Sequence, residues 1–143
     1  MIDLSDPALP AEVVARALDL APHPEGGHFR ETWRDVADDG GRGAGTAILF
    51  LLAAGEESRW HRVDAAELWL WQAGGSLELA LPGRALRLGP GVGKGEVLQG
   101  VVPKGVWQAA RPLAAWTLVS CVVLPAFLFS GFEMAPEGWR PDA

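Results

Sequence analysis

The spacing of turn signals constrains this fold more than any other feature of the chain. After Pro24, apolar stretches alternate with glycine- or proline-bearing turns: AGEES (54–58), AGGS (73–76), LPGR (81–84), GPGVGKG (89–95), VPKG (102–105) and LPAF (124–127). The stretches between them are rich in Val, Leu, Phe and Trp and read as strands over 28–34, 46–53, 58–63, 67–72, 77–81, 85–88, 96–102, 106–110, 116–124 and 127–134. One helical pattern stands before them, over 10–20, where Val13, Val14, Ala17, Leu18 and Leu20 form a stripe that Pro22 and Pro24 stop. Many short strands and one N-terminal helix exclude alternating βαβ units and predict an all-β sandwich or barrel. The segment 35–45, DVADDGGRGAG, is the most polar and glycine-rich and reads as a loop.

A chain of 143 residues buries about two thirds of the surface its unfolded form exposes and needs no staple to close a core. The expectation is one domain over 1–143. Its single cysteine excludes a disulfide framework and any cysteine-based zinc set; within an apolar run, Cys121 reads as a buried small hydrophobe. A net charge of -6, with scattered basic residues, leaves no footprint for a phosphate backbone, so no nucleic-acid partner is expected. The uncharged run 112–132 is long enough to span a bilayer. It holds Thr117, Ser120, Pro125, Ser130 and Gly131 among β-branched residues, which fits two buried strands and no membrane partner. The N-terminus shows no basic region followed by an apolar one, and a cytoplasmic location is expected.

Strand alternation sorts the polar residues. It puts His61 with Arg59 and Val63, Glu67 with Trp69 and Trp71, and Glu31 with Phe29 and Trp33. Glu31 and Glu67, each flanked by aromatics, are costly to bury without partners. From Gly55 the chain then runs five residues to His61, one to Val63, three to Glu67 and six to Gly74. This spacing resembles the first cupin motif, G-x(5)-H-x-H-x(3,4)-E-x(6)-G, with Val63 replacing the second histidine. If the two strands are antiparallel neighbours, His61 and Glu67 reach one inner face, where they can hold a metal or a substrate. Pro103, Gly105 and Gln108 resemble the second motif, P-x-G-x(2)-H, with Gln108 at the ligand position, Val97 at its leading glycine and Pro112 at its closing asparagine.

Four ordered segments narrow the resemblance: PHPEGGHFRETW (22–33), SRWHRVDAAELW (58–69), QGVVPKGVWQAA (99–110) and LVSCVVLPAFLFSGFEM (118–134). Together they resemble the DUF985, or cupin-5, family of small single-domain cupins, with His28 standing where an aromatic usually precedes the phenylalanine. The resemblance implies a double-stranded β-helix, a jelly-roll barrel over about 28–134 with a tail over 135–143, a pocket in the barrel mouth and a homodimer. A helix plus the apolar strands of 118–132 also offer more hydrophobic surface than one small barrel encloses.

The resemblance implies no single reaction, and three readings stay open. In the first, a small polar metabolite (a sugar, nucleotide-sugar or nucleobase-like compound) is bound and isomerised or epimerised by His61, Glu67 and Glu31 as acid and base. Phe29, Trp33, Arg59, Val63, Trp69, Trp71 and Gln108 would bind it; with no tyrosine in the chain, no phenolic acid is available. In the second, His61, Glu67 and Gln108 hold a weak divalent metal (zinc, nickel or iron), completed by Glu31, His23 or His28. In the third, the domain is a non-catalytic binding or structural module.

Overall fold

A computed structural model describes residues 1–142. Helix α1 (Ala11–Ala17) is followed by strands β1 (Ala21–Pro22), β2 (His28–Val36), β3 (Arg42–Ala53), β4 (Ser58–Val63), β5 (Ala66–Gly74) and β6 (Leu77–Leu81). Strands β7 (Arg84–Leu88), β8 (Gln99–Val102), β9 (Gln108–Pro112), β10 (Trp116–Leu124) and β11 (Phe132–Met134) complete the chain. They form two antiparallel sheets, β1-β2-β3-β10-β5-β8 and β11-β4-β9-β6-β7.

The pairing has a nested logic. β6 pairs with β7, β5 with β8, β4 with β9 and β3 with β10, so the chain from β3 to β10 is one long hairpin. Coiling that hairpin adds the contacts β5·β10 and β6·β9 and divides it between two facing sheets. The result is a double-stranded β-helix, the jelly roll that closes most sheet edges. Its core lies between the sheets, where Phe50, Leu52, Trp69, Leu77, Leu79, Leu88, Val102 and Val119 are buried. A second cluster lies outside the first sheet, where Val14 of α1 packs on Leu51, Ala73, Trp116 and Leu118.

Several expected boundaries move. The helix ends at Ala17, because Asp19 takes a positive φ of 56° and turns the chain, although Leu18 and Leu20 still pack. The polar 35–45 segment is shortened by both strands: β2 runs to Val36 and β3 starts at Arg42, with Asp35 Oδ2 accepting from Ala44 N at 2.7 Å. The 96–102 strand begins only at Gln99, after the glycine turns of 89–95. The 127–134 segment is strand only over its last three residues, and its first half is a loop that carries phenylalanines to the barrel mouth. The uncharged run is thus β10 and this loop, and no helix among the described residues is long and apolar enough to cross a membrane.

Candidate functional site

The site begins in the loop between β1 and β2. Gly26 and Gly27 have φ of 111° and 76°. A Cβ on Gly26 would lie 2.0 Å from Glu57 O, and one on Gly27 2.7 Å from Leu51 O. Only glycine lets the backbone press this close against its neighbours. His23 N donates to Gly27 O at 2.9 Å and Arg59 N to Glu25 O at 2.9 Å, which pins the loop on β4. The Glu25 side chain is thereby turned inside, 5% exposed.

His61 reaches the same spot from β4. The register with β9 shifts between Ser58 and His61, so these two residues, three apart, are both buried while Arg59 and Trp60 are half-exposed. His61 Nδ1 lies 2.7 Å from Arg59 O and 2.8 Å from Glu25 Oε2. Two acceptors place the proton on Nδ1. Its N–H aligns with the carbonyl, so the Glu25 contact is an ion pair without an aligned hydrogen bond. Burial alone would push the His61 pKa down; the Glu25 carboxylate, then Glu67 and the Arg59 carbonyl, outweigh it and bring it up to about 9. For Glu25 burial pushes up, but the His61 charge, with His23 and Ser58, leaves it below the usual carboxylate range. His23 Nδ1 accepts from Glu25 N at 3.1 Å, which puts its proton on Nε2, and burial holds its pKa down.

Glu67 faces this pair from β5, in the opposite sheet. The expectation that β4 and β5 are antiparallel neighbours is therefore corrected: they lie in different sheets, and His61 and Glu67 reach the one cavity from opposite sides of the barrel. Glu67 Oε1 accepts from Gln108 Nε2 at 2.9 Å, and Gln108 Oε1 accepts from Trp69 Nε1 at 2.7 Å. An indole N–H only donates, so the amide oxygen must face Trp69 and its NH2 must face Glu67. Burial pushes Glu67 up; His61 and the hydrogen bonds from Gln108 and Cys121 pull down, Glu25 repels, and the balance stands at about 7. Beside it, burial and the two carboxylates push the Cys121 thiol well up, so it stays protonated.

These groups line a cavity of about 60 Å³ whose walls include Phe29, Ile48, Val63, Phe127 and Phe132. At its mouth Arg34 donates to both Glu31 oxygens at 2.8 Å and to Phe127 O at 2.9 Å, which ties β2 to the 124–131 loop. A larger groove of about 470 Å³ lies under the 4–7 segment, but Asp6 is the sole ionisable group on its lining. The titratable side chains gather in the smaller space, where His23, Glu25, Glu31, Arg34, His61 and Glu67 lie on the lining.

Of the residues singled out from the sequence, the cavity brings together His61, Glu67, Val63, Phe29 and His23, with Glu31 at the rim. The proposed stacking wall is not there. A bulge between Glu31 and Trp33 turns Trp33 to the outer face, 49% exposed. Trp69 is spent on Gln108 within the core, and Trp71 sits beyond it, donating to Gly75 O. The β4 shift carries Arg59 out of phase with His61 into a surface cleft with Trp60 and Trp139, and Gln108 stands behind Glu67. His28 lies away from the cavity, 4.0 Å from Glu56. Sequence reasoning missed Glu25 and the phenylalanines of the 124–132 segment; the signal for Glu25 was a carboxylate directly before two glycines.

The proposed metal set does not fit. Val63 has no donor atom, Gln108 Oε1 already accepts from Trp69, and its NH2 is given to Glu67. Among the described residues no three His, Cys, Asp or Glu side chains group as a metal site would require.

The family described as Cupin superfamily (DUF985), Cupin_5, matches residues 12–135. The chain belongs to this cupin family. A protein from Shewanella oneidensis is 34% identical, with a TM-score of 0.84 over 89% of this cupin and 85% of that chain. A hypothetical protein from Leishmania major is 32% identical, with a TM-score of 0.79 over 89% and 88%. KdgF from Halomonas, 18% identical with a TM-score of 0.57 over 75% of this cupin and 87% of that chain, shares the fold alone. No protein of curated function matches the cupin.

Proposed function

We propose that the cavity binds a compact hydroxy- or oxo-metabolite and moves a proton on it, as an isomerase does. The observation that carries this reading is a buried carboxyl and a buried imidazole lining one cavity from opposite sheets, Glu67 and His61, with burial pushing the first up to about 7 and Glu25 the second up to about 9. Groups pushed apart in this way are suited to acid and base roles near neutral pH. Glu67 as carboxylate takes a proton from the carbon beside a carbonyl. The bonding pair moves toward the carbonyl oxygen, and the charge that develops there is met by the His61 imidazolium, whose Nε2 makes no hydrogen bond among the described residues. His61 gives its Nε2 proton to that oxygen and then takes the proton of the hydroxyl on the carbon that Glu67 deprotonated. As this second oxygen becomes the new carbonyl, the carbon–carbon double-bond pair takes the proton back from Glu67 at the former carbonyl carbon. Glu25 contacts no reacting atom in this scheme; it keeps His61 charged.

One acid–base group favours a proton shift on one face over inversion between two, and no tyrosine stands opposite. Glu31, bound to Arg34, shapes the mouth instead of carrying a proton. A space of about 60 Å³ holds about four waters, which suits a few heavy atoms. A sugar, nucleotide-sugar or nucleobase requires Phe127, Phe129 and Phe132 to swing aside.

Incubating the protein in D2O with a panel of small aldoses, ketoses and hydroxy- and oxo-acids, and following C–H signals by NMR, tests the proposal. The expected result is exchange at the carbon beside the carbonyl, abolished in Glu67→Gln. Exchange that survives Glu67→Gln refutes the assignment. Thermal-shift hits with no exchange point to the binding-module reading.

A further inference from the structure

His23 takes no part in that proton transfer, yet it lines the same cavity as His61 and Glu67, with its side chain only 6% exposed. Three phenylalanines hold its ring: the centroid of Phe29 lies 4.5 Å away, edge to face at 73°, that of Phe50 5.6 Å and that of Phe132 6.3 Å. Both imidazoles back onto one residue. Glu25 N donates to His23 Nδ1 at 3.1 Å, and the Glu25 carboxylate lies 2.8 Å from His61 Nδ1 and 3.7 Å from His23 Nδ1.

A backbone N–H can only donate, so His23 Nδ1 carries no proton and Nε2 must carry it. Burial above all, and then the His61 charge, outweigh the pull of Glu25 and keep this ring neutral. Neither imidazole Nε2 makes a hydrogen bond among the described residues. Neither is sealed in the interior, where Glu25 Oε2 and Ser58 Oγ are the unpartnered side-chain atoms. Each Nε2 therefore opens onto the cavity that both rings line. Two N–H donors, one neutral and one charged, thus share a lining with one carboxyl, Glu67.

We propose that His23 Nε2 is the second oxygen-binding donor of the site, and that the two imidazoles together select an uncharged α-hydroxy aldehyde or ketone. Resting on the proton shift proposed above, His61 takes the carbonyl oxygen, where charge develops, and His23 the neighbouring hydroxyl oxygen. A hydroxyl that accepts from His23 keeps its own proton free for His61. When that proton leaves, the oxygen, now a carbonyl, still accepts from the same N–H. His23 keeps its proton throughout, so it binds and orients without entering the proton balance. A simple aldehyde or ketone would leave the His23 N–H buried without an acceptor, which costs affinity. Charge narrows the class further. Apart from His61, whose charge Glu25 matches, the cation on the lining is Arg34, already given to Glu31. A hydroxy- or oxo-acid would bring its carboxylate against Glu67 with no unmatched cation to meet it.

Titrating the full chain with unreactive amides, followed by the imidazole ¹⁵N signals, tests the proposal. Glycolamide and propionamide differ only by a hydroxyl in place of a methyl. The wild type is expected to bind glycolamide at least about 10-fold more tightly than propionamide, the discrimination of one hydrogen bond, and about 10-fold more tightly than glycolate. His23→Phe removes the donor and should bring the ratio between the two amides to about 1. His23→Gln, whose amide nitrogen can stand in for Nε2, should keep the preference, which separates loss of the donor from loss of the loop. Equal affinity for the two amides in the wild type, no binding of either, or a preference that survives His23→Phe overturns the proposal. Because the amides do not react, a His23-dependent preference without Glu67-dependent exchange would sink the proton shift and leave the donor pair standing.

Discussion

Glu25→Gln is the sharpest probe of the buried network. It keeps the shape of the side chain and removes the charge that lies 2.8 Å from His61 Nδ1. Burial is the largest influence on His61 and acts downward, and Glu25 is the largest that opposes it, so without Glu25 the imidazole should fall from about 9 back toward the ordinary 6.5. That displacement corresponds to about 3 kcal/mol, at 1.36 kcal/mol per pH unit, at the low end of the roughly 3–5 kcal/mol for breaking a buried pair. The sign over pH is set by linkage. A raised histidine pKa contributes stability that is complete below 6.5 and is lost as pH rises through about 9. The variant should therefore be about 3 kcal/mol less stable than wild type near pH 6, with the gap closing as the pH passes about 9. Urea titrations followed by tryptophan fluorescence read the stability. With three histidines in the chain, ¹⁵N-edited NMR reads the imidazole directly, assigned through His61→Gln. An imidazole that titrates at the same pH in wild type and Glu25→Gln would refute the ion pair as the cause.

Four further substitutions separate the parts of the site. Glu67→Gln should stabilise the fold by about 3 kcal/mol near pH 8 and by nothing near pH 4, since a raised carboxyl pKa contributes stability present below 4.5 and lost as pH rises through about 7; urea midpoints at the two pH values check it. Gly26→Ala should cost about 2 kcal/mol or more, whereas Gly55→Ala, with φ of 83° and open space around its Cβ, should cost about 1 kcal/mol; thermal unfolding of the pair shows whether close approach or φ alone matters. Trp69→Phe leaves Gln108 Oε1 buried without its donor and should cost about 1–3 kcal/mol. In that variant the amide is free to turn, and the Glu67 pKa should rise further in an NMR titration of the carboxyl carbon.

The barrel was legible because its information is local. Turn residues at fixed intervals and inward alternation on β5, β6 and β10 set strands, faces and core without any long-range knowledge. The faces went wrong where one extra residue enters a strand. The shifts after Ser58 and after Glu31 each reverse the facing of the residues beyond them, moving Arg59 and Trp33 out of the site, and no residue type in SRWHRV or HFRETW signals them. Gln108 was placed correctly on its strand but not in its role, because an amide's orientation is decided by whichever group reaches it, here an indole donor 39 residues away in sequence.

Glu25 illustrates a different limit. Its position depends on tertiary docking: the His23–Gly27 loop folds back on β4 only because two glycines tolerate contacts that a side chain would block. Once inside, that one carboxylate acts on both groups of the proposed acid–base pair, pulling the His61 pKa up and, as a like charge, pushing that of Glu67 up. A metal-dependent cupin would hold its cation with histidines at the positions of Val63 and Gln108. Here the first is a hydrocarbon wall and the second is locked between Trp69 and Glu67. The positive charge at the centre of the cavity is instead carried by a proton on His61, held there by a residue outside both cupin motifs. Changing Glu25 should therefore alter the site more than restoring a histidine at position 63, because the charge balance of the cavity depends on the loop.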